Sequence, residues 1–348
     1  MKNSWENHST SDNALETRLL HFYDHSKRVL PWRDNKNPYY IWISEIMLQQ
    51  TRVETVIPYF ERFIKELPTV EALSKVDDDR LMKLWEGLGY YSRARNLKKA
   101  AIKVVEEYKG LIPNNKKELE SLSGIGPYTS GAILSIAFEE RIAAVDGNVL
   151  RVFSRLYKIE DDIKDVKTKQ RIKELVEQSL PSKRNGDYNQ AIMELGATIC
   201  RPNGRPFCEQ CPLKDICLAK KHHMQMLLPF QSKKAKRKME SRTVFILKNG
   251  EHYAIVKRPP KGLLASLYEF PNVEGHIDEN DIHFDSKSIQ KLPKAKHIFS
   301  HIEWHMKGYL IEVNNQIKEY IWVSKDQIKL EYSIPSAFKK YLKIIMED

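Results

Sequence analysis

No stretch of the sequence approaches the roughly 20 consecutive apolar residues that a membrane helix requires, and residues 1–13 are polar with no apolar core. These absences argue against a signal peptide or membrane anchor. They lead to the expectation of a soluble cytoplasmic chain with a disordered N-terminal arm over 1–13. Cysteine is scarce: there are four, all between Cys200 and Cys217. Disulfides are disfavoured inside a cell, and thiols that were merely structural would not gather in one short segment. Acidic residues are outnumbered, with Asp and Glu at 46 against 57 Lys and Arg, a formal charge of +11. That excess favours a polyanionic partner, although a well-solvated lysine-rich surface gives the same total. No internal repeat is visible. A length of 348 residues accommodates about two or three domains.

The first two-thirds read as helical. Leu15, Leu19, Leu20, Phe22 and Tyr23 begin an amphipathic segment that Pro31 stops. Tyr40 to Leu67 carries apolar residues at helical spacing, with Pro58 as the expected break or kink. Leu81, Leu84, Trp85 and Leu88 mark another helix, ended by the glycines of Gly87-Leu-Gly-Tyr-Tyr91, and Leu97 to Tyr108 a further one. Helices near 148–157, 167–180 and 188–199 follow. The composition then changes. Residues 218–242 include Lys233-Lys-Ala-Lys-Arg-Lys238 and read as a basic linker. Beyond it Thr243–Leu247 and His252–Val256 flank Asn249-Gly250, a hairpin signal, and Tyr309–Val313 and Tyr320–Val323 are further strands before a closing helix. The expected domains are a helical one over 14–217 and an α+β one over 243–348.

Two stretches stand out for chemistry. Leu122-Ser-Gly-Ile-Gly-Pro-Tyr-Thr-Ser-Gly-Ala-Ile133 joins two helical patterns through Gly124 and Gly126, with Pro127 where a helix tolerates it best. Such a turn aims backbone N–H groups outward at a helix N-terminus, a ready phosphate site, or else it is an ordinary αα-hairpin. Val145-Asp-Gly-Asn148 follows, and Asp146 opens the next helix. The cysteines are spaced C-x7-C-x2-C-x5-C: Cys200, Cys208, Cys211 and Cys217. This pattern indicates a metal site. Zinc usually takes two short pairs, whereas one short pair with longer arms also suits an iron–sulfur cubane, and the spacing leaves both open.

The hairpin and Val145-Asp-Gly-Asn148 together resemble the helix–hairpin–helix DNA glycosylase superfamily. Ile43-Ser-Glu-Ile-Met-Leu-Gln-Gln-Thr-Arg-Val53 and Gly87-Leu-Gly-Tyr-Tyr-Ser-Arg-Ala-Arg-Asn96 are similar to adenine DNA glycosylases of the MutY family in particular. The resemblance runs from about Leu30 to Cys217 and resumes in the last domain. It implies a mainly α helix–hairpin–helix glycosylase domain with an iron–sulfur cluster loop at 200–217, and a C-terminal α+β Nudix-like domain that reads 8-oxoguanine. It further implies one 4Fe-4S cluster on the four cysteines, and a monomer acting on double-stranded DNA at adenine opposite 8-oxoguanine or guanine, in a bacterial cytoplasm and on the nucleoid. The family has six residues between the first two cysteines, where this chain has the seven from Arg201 to Phe207. Gly262-Leu-Leu-Ala-Ser-Leu-Tyr-Glu-Phe-Pro271 strengthens the Nudix-like reading, but the acidic metal-binding box of active Nudix hydrolases is absent. Recognition without phosphohydrolase activity is therefore expected.

Breaking an N-glycosidic bond develops positive charge on the sugar and negative charge on the base, so two carboxyl groups held in different protonation states are useful. Glu45 lies among Trp42, Ile43, Ile46, Met47 and Leu48, surroundings that raise a carboxyl pKa. Asp146, at a helix N-terminus, is expected to stay ionised. The resemblance assigns Glu45 as the acid that protonates adenine and then the base that activates water, and Asp146 as the group that stabilises or captures the cationic sugar. Tyr128 stands where endonuclease III-like relatives carry a lysine. A phenol cannot form a Schiff base, so Tyr128 argues for a monofunctional glycosylase, with its hydroxyl expected to support Asp146. Arg28 and Trp32 resemble the family's base-pocket residues, Gln50 and Tyr90 its inserted side chains, and Phe299-Ser300-His301 its loop at the oxidised guanine. The alternatives are a bifunctional pyrimidine glycosylase and lyase, or a non-catalytic DNA-binding regulator with a four-cysteine zinc site.

Overall fold

The structure is a computed structural model that describes residues 12–232 and 236–347. Most of the expected N-terminal arm, and residues 233–235 of the basic linker, lie outside the described residues. The chain forms two compact units, Met1–Lys75 with Asn96–Lys233, and Val76–Arg95 with Lys234–Asp348. The second unit thus takes in a segment from the middle of the region the sequence marks as helical.

The helices of the first part are α1 (Asp12–Ser26), α2 (Pro38–Leu48), α3 (Val53–Glu66), α4 (Val70–Lys75), α5 (Asp78–Trp85), α6 (Ser92–Tyr108), α7 (Lys116–Glu120) and α8 (Pro127–Ala137). They are followed by α9 (Gly147–Leu156), α10 (Val166–Ser179), α11 (Asn185–Thr198) and the short α12 (Leu218–Lys221). Helix α9 shows why they pack as they do. Val149, Val152, Phe153 and Leu156 recur at helical spacing and bury one face against Leu19 and Tyr23 of α1, Ile172 of α10 and Tyr188 of α11. Each such side chain contributes roughly 1.5–3 kcal/mol by leaving water. Helix α2 is apolar on nearly every side, with Tyr39 and Ile41 to Met47 all buried. Asn37 caps it by accepting from the Tyr39 N–H at 2.9 Å, and Pro38 occupies its first turn.

The helical stretch expected over 40–67 is broken, but not at Pro58, where the break or kink was expected. The chain turns between α2 and α3, where Gln50 adopts a left-handed φ of 58° and the Thr51 N–H reaches back to the Leu48 carbonyl. Pro58 sits inside α3 and cannot donate the helical bond to Glu54, yet the helix continues to Glu66.

The second unit is built on a seven-stranded sheet: β1 (Lys238–Asn249), β2 (His252–Lys257), β3 (Tyr268–Glu269), β4 (Asn272–Glu274), β5 (Ser286–Ile298), β6 (Ile302–Val313) and β7 (Ile321–Ser324). The main path is β3-β2-β1-β6-β5, with β4 on β1 and β7 on β2. β1 and β6 run parallel, in register from Lys238 opposite Ile302 to Lys248 opposite Glu312. Both faces of this central pair are covered. Val244, Ile246, Trp304 and Met306 pack under α14 (Lys339–Glu347), which follows α13 (Lys325–Leu330), while Phe245, Leu247, Tyr309 and Ile311 pack on the opposite face. The β1–β2 hairpin turns on Gly250 and Glu251, because Asn249 is still paired with His252. The hairpin between β5 and β6 is Phe299-Ser300-His301, closed by the Phe299 N–H on the Ile302 carbonyl at 2.8 Å.

Candidate active site

The hairpin between α7 and α8 places the site. Gly124 takes a φ of +82°, and a Cβ there would also come within 3.0 Å of Asn96. Gly126 is extended and faces open space, so the turn itself demands only the first glycine. Further along α8, a Cβ on Gly131 would come within 2.6 Å of the Ala143 carbonyl. The bare helix backbone at that point lets the 143–146 segment lie against α8 and deliver Asp146.

Eight of the residues singled out in the sequence line one cleft of about 890 Å³ within the first unit: Arg28, Trp32, Glu45, Gln50, Gly124, Gly126, Tyr128 and Asp146. Glu45 is 6 % exposed, and its Oε2 accepts a hydrogen bond at 2.5 Å from the Tyr128 hydroxyl, which was expected to support Asp146. Burial pushes its pKa up from an ordinary 4.5 to about 7. The Tyr128 hydrogen bond pulls against that rise, and the nearby charge of Asp146 adds to it. Burial, reinforced by Glu45 and Asp146, also lifts the Tyr128 phenol well above its usual range, so it remains a neutral donor.

Asp146 caps α9. Its Oδ1 accepts from the Val149 N–H at 2.8 Å and its Oδ2 from the Asn148 amide at 2.6 Å. Burial raises its pKa, and the donors from Val149 and Asn148 oppose the rise without cancelling it. The expectation drawn from the helix N-terminus alone thus omitted the larger, desolvation contribution. The two carboxyl groups still differ in kind. Asp146 accepts from a backbone N–H and an amide, whereas Glu45 accepts from the phenol of Tyr128.

Sequence reasoning missed a polar group beside them. Glu194 accepts from the Arg28 Nε at 2.7 Å and from Arg33 at 2.8 Å, while Arg33 also donates to Gln190 at 3.2 Å. Burial would raise the Glu194 pKa, but the two guanidinium groups outweigh it and hold the carboxyl below its ordinary range. All four residues line the cleft. The signal was present, because Glu194 stands among Ile192, Met193 and Leu195 as Glu45 does among its apolar neighbours.

The four cysteines lie in the first unit, all partly buried, with Cys200, Cys211 and Cys217 packed against its core. Arg155 donates to the Cys200 sulfur at 3.2 Å. Burial pushes the Cys211 thiol up to about 12, and neighbouring Cys200, Cys217 and Cys208 add to the rise. Among the described residues no three His, Cys, Asp or Glu side chains converge on a point that would hold a single metal ion. Four partly buried cysteine sulfurs gathered in one short segment suit a thiophilic group that binds them as thiolates. The longer Cys200–Cys208 arm is pinned at its end, where the Phe207 N–H bonds the Ile199 carbonyl and Arg201 stacks on the Phe207 ring at 3.9 Å.

The remaining predicted site residues belong to the second unit. Phe299 packs edge-on against Trp304 at 4.9 Å and His297 at 4.5 Å, leaving Ser300 and His301 exposed at the hairpin tip. Tyr90, 47 % exposed with a left-handed φ of 46°, shares a hydrogen bond of 3.3 Å between its hydroxyl and that of Ser300.

Comparison with known proteins agrees with this architecture. The family model described as HhH-GPD superfamily base excision DNA repair protein matches residues 43–178, and the NUDIX domain model matches 243–343. An adenine DNA glycosylase of Buchnera aphidicola subsp. Schizaphis graminum is 34 % identical over 340 residues, spanning 94 % of this chain and 97 % of the relative. One from Rattus norvegicus is 32 % identical over 405 residues, with 96 % and 78 % covered. Among solved structures, a thermostable thymine-DNA glycosylase superposes with a TM-score of 0.56 at 29 % identity, over 61 % of this chain and 98 % of that one.

Proposed function

The chain belongs to the adenine DNA glycosylase family and is a DNA glycosylase of base-excision repair, and from this we propose that it hydrolyses adenine mispaired with 8-oxoguanine or guanine in double-stranded DNA, without cleaving the strand. The observation that carries the proposal is the Tyr128–Glu45 hydrogen bond of 2.5 Å inside a cleft that Asp146 also lines. Adenine in a duplex must be flipped out to be reached, and the cleft, walled by Arg28 and Trp32, is large enough to take it. Glu45, protonated near neutral pH, gives its proton to the departing base and, once ionised, takes one from water. Asp146 faces the developing positive charge on the sugar as an anion steadied by Val149 and Asn148. Tyr128 keeps Glu45 oriented, and its hydroxyl cannot form the imine that a lysine would use to cut the strand.

Around this centre, Gly124, Gly126 and the N-terminus of α8 suit a DNA phosphate, and Lys169 and Lys173 of α10 line the same cleft. Gln50 and Tyr90 are the residues we assign to insertion beside the mispair, and Phe299, Ser300 and His301 to reading the oxidised base. Cys200, Cys208, Cys211 and Cys217 would hold one 4Fe-4S cluster, which when bound cross-links the 200–217 loop as a structural staple. The proposal includes action as a monomer in a bacterial cytoplasm, on the nucleoid. It draws on the bacterial relatives and on the lack, among the described residues, of any helix long and apolar enough to cross a membrane. Duplexes carrying adenine opposite 8-oxoguanine, guanine or thymine, and one carrying an oxidised pyrimidine, test the substrate. Excision confined to the first two supports the proposal, and excision of the pyrimidine instead would return the chain to the bifunctional class.

A further inference from the structure

The segment that joins the second unit from within the helical region is held there by a partly buried ion pair. Lys83, on the last turn of α5, donates to Glu86 Oε2 at 2.6 Å and to the Ile328 and Tyr332 carbonyls, each at 3.0 Å. Its side chain is only 12 % exposed, and the three protons of its ammonium have three acceptors. The other oxygen of Glu86 accepts the Ile334 N–H at 2.8 Å. The pair therefore closes over the end of α13, where a helix leaves carbonyls without partners of its own. Asp79, one helical turn earlier, accepts from Lys257 at 2.8 Å and from the Tyr268 hydroxyl at 2.8 Å.

The loop that follows is stiff for a different reason. Gly87, Gly89 and Tyr90 all take positive φ, and the carbonyls this turn exposes are taken up by side chains. Trp85 Nε1 donates to the Gly89 carbonyl at 3.1 Å, and Arg93 donates to Leu88 at 3.0 Å and Gly89 at 3.1 Å. For Tyr90 a left-handed backbone is unfavourable in itself and persists only where its surroundings impose it. The loop therefore runs from the Lys83–Glu86 pair at one end to the Tyr90–Ser300 contact at the other.

We infer that Lys83 and Glu86 are positioning residues for lesion discrimination: they latch the loop carrying Tyr90 to the end of α13, so that Tyr90 and Ser300 meet the base opposite adenine as one preassembled surface. The inference rests on the proposed role of the Phe299–His301 hairpin in reading that base. It assigns neither residue a part in the glycosidic chemistry.

The test uses the full chain and single-turnover excision of adenine opposite 8-oxoguanine and opposite guanine. Lys83→Met is expected to leave the rate opposite guanine within about twofold and to lower the preference for 8-oxoguanine about tenfold, the discrimination one hydrogen bond supplies. Glu86→Gln, which keeps an acceptor for Ile334 and perturbs folding least, is expected to lower the preference by a smaller factor. Lys83→Arg, which keeps the charge, is expected to restore part of it. Ser300→Ala alone should lower the preference, and adding Lys83→Met to it should lower it no further. Proportional loss on both substrates would make the pair merely structural and overturn the inference, as would multiplying losses in the double variant. If Ser300→Ala lowers the preference while Lys83→Met and Glu86→Gln do not, the hairpin reading stands and the latch falls. If Ser300→Ala has no effect, the hairpin reading itself fails and takes the latch with it.

Discussion

Replacing Glu45 by Gln keeps the side-chain shape and an oxygen to accept the Tyr128 hydroxyl, but removes the titrating proton. Catalysis should fall by about 10²–10⁴ if that proton is the one delivered to the leaving base. Stability should move the other way, with a sign fixed by the pKa. Burial raises the Glu45 pKa from 4.5 to about 7, so the folded state binds the proton more tightly than the unfolded chain. The stability this confers is fully present below about pH 4.5 and is lost as pH rises through about 7. A shift of that size corresponds to roughly 3 kcal/mol at pH 8, shrinking below about 1 kcal/mol near pH 5. Gln carries no charge and avoids the loss. The variant should therefore melt on the order of 5–10 °C above the parent at pH 8 and close to it at pH 5. The assay is thermal unfolding across that pH range beside single-turnover excision on the same preparations. Equal excision rates would remove Glu45 from the acid role. A melting difference independent of pH would mean that Glu45 does not titrate near neutrality, and the electrostatic reasoning would fail with it.

Asp146→Asn removes the negative charge beneath the developing cation and should slow excision by about 10²–10³; normal single-turnover rates would reduce Asp146 to a helix cap. Tyr128→Lys brings an amine into the cleft and should yield a borohydride-trapped protein–DNA adduct that the parent does not form. A strong adduct with the parent, or none with the variant, contradicts the monofunctional reading. Purified protein should be brown with about four irons per chain, and Cys208→Ser should lose both colour and iron. Colourless parent protein containing zinc would favour the regulator instead.

Much of this site was legible because its chemistry is local. Gly124 needs its positive φ within the short turn between α7 and α8, Asp146 caps the helix it precedes, and the Glu45 pKa follows from the apolar residues around it in α2. What escaped the sequence depends on distant neighbours. The break between α2 and α3 falls at Gln50 rather than Pro58: a left-handed glutamine has no compositional mark, and α3 runs on through its interior proline. Strand β5 went unrecognised because it lies at the sheet edge and is largely exposed, Lys287, Lys291, Lys294 and Lys296 giving it no apolar alternation. The burial that raises the Asp146 pKa comes from packing that spacing does not reveal. The membership of Val76–Arg95 in the second unit rests on pairs such as Lys83 with Ile328, 245 residues apart. Cutting the chain near Phe230 would strip that segment of these partners, so substitutions in Phe299–His301 probe lesion reading more cleanly than truncation.

The central claim is hydrolysis of one adenine from a mispair with the strand left whole. It is tested most directly on a duplex with a single adenine opposite 8-oxoguanine, by measuring free adenine and strand breaks in the same reaction before and after alkali. The expected result is one adenine released per duplex, with the strand intact until alkali cuts it at the vacated position. Strand breaks that keep pace with adenine release before alkali, or no free adenine at all, would contradict it.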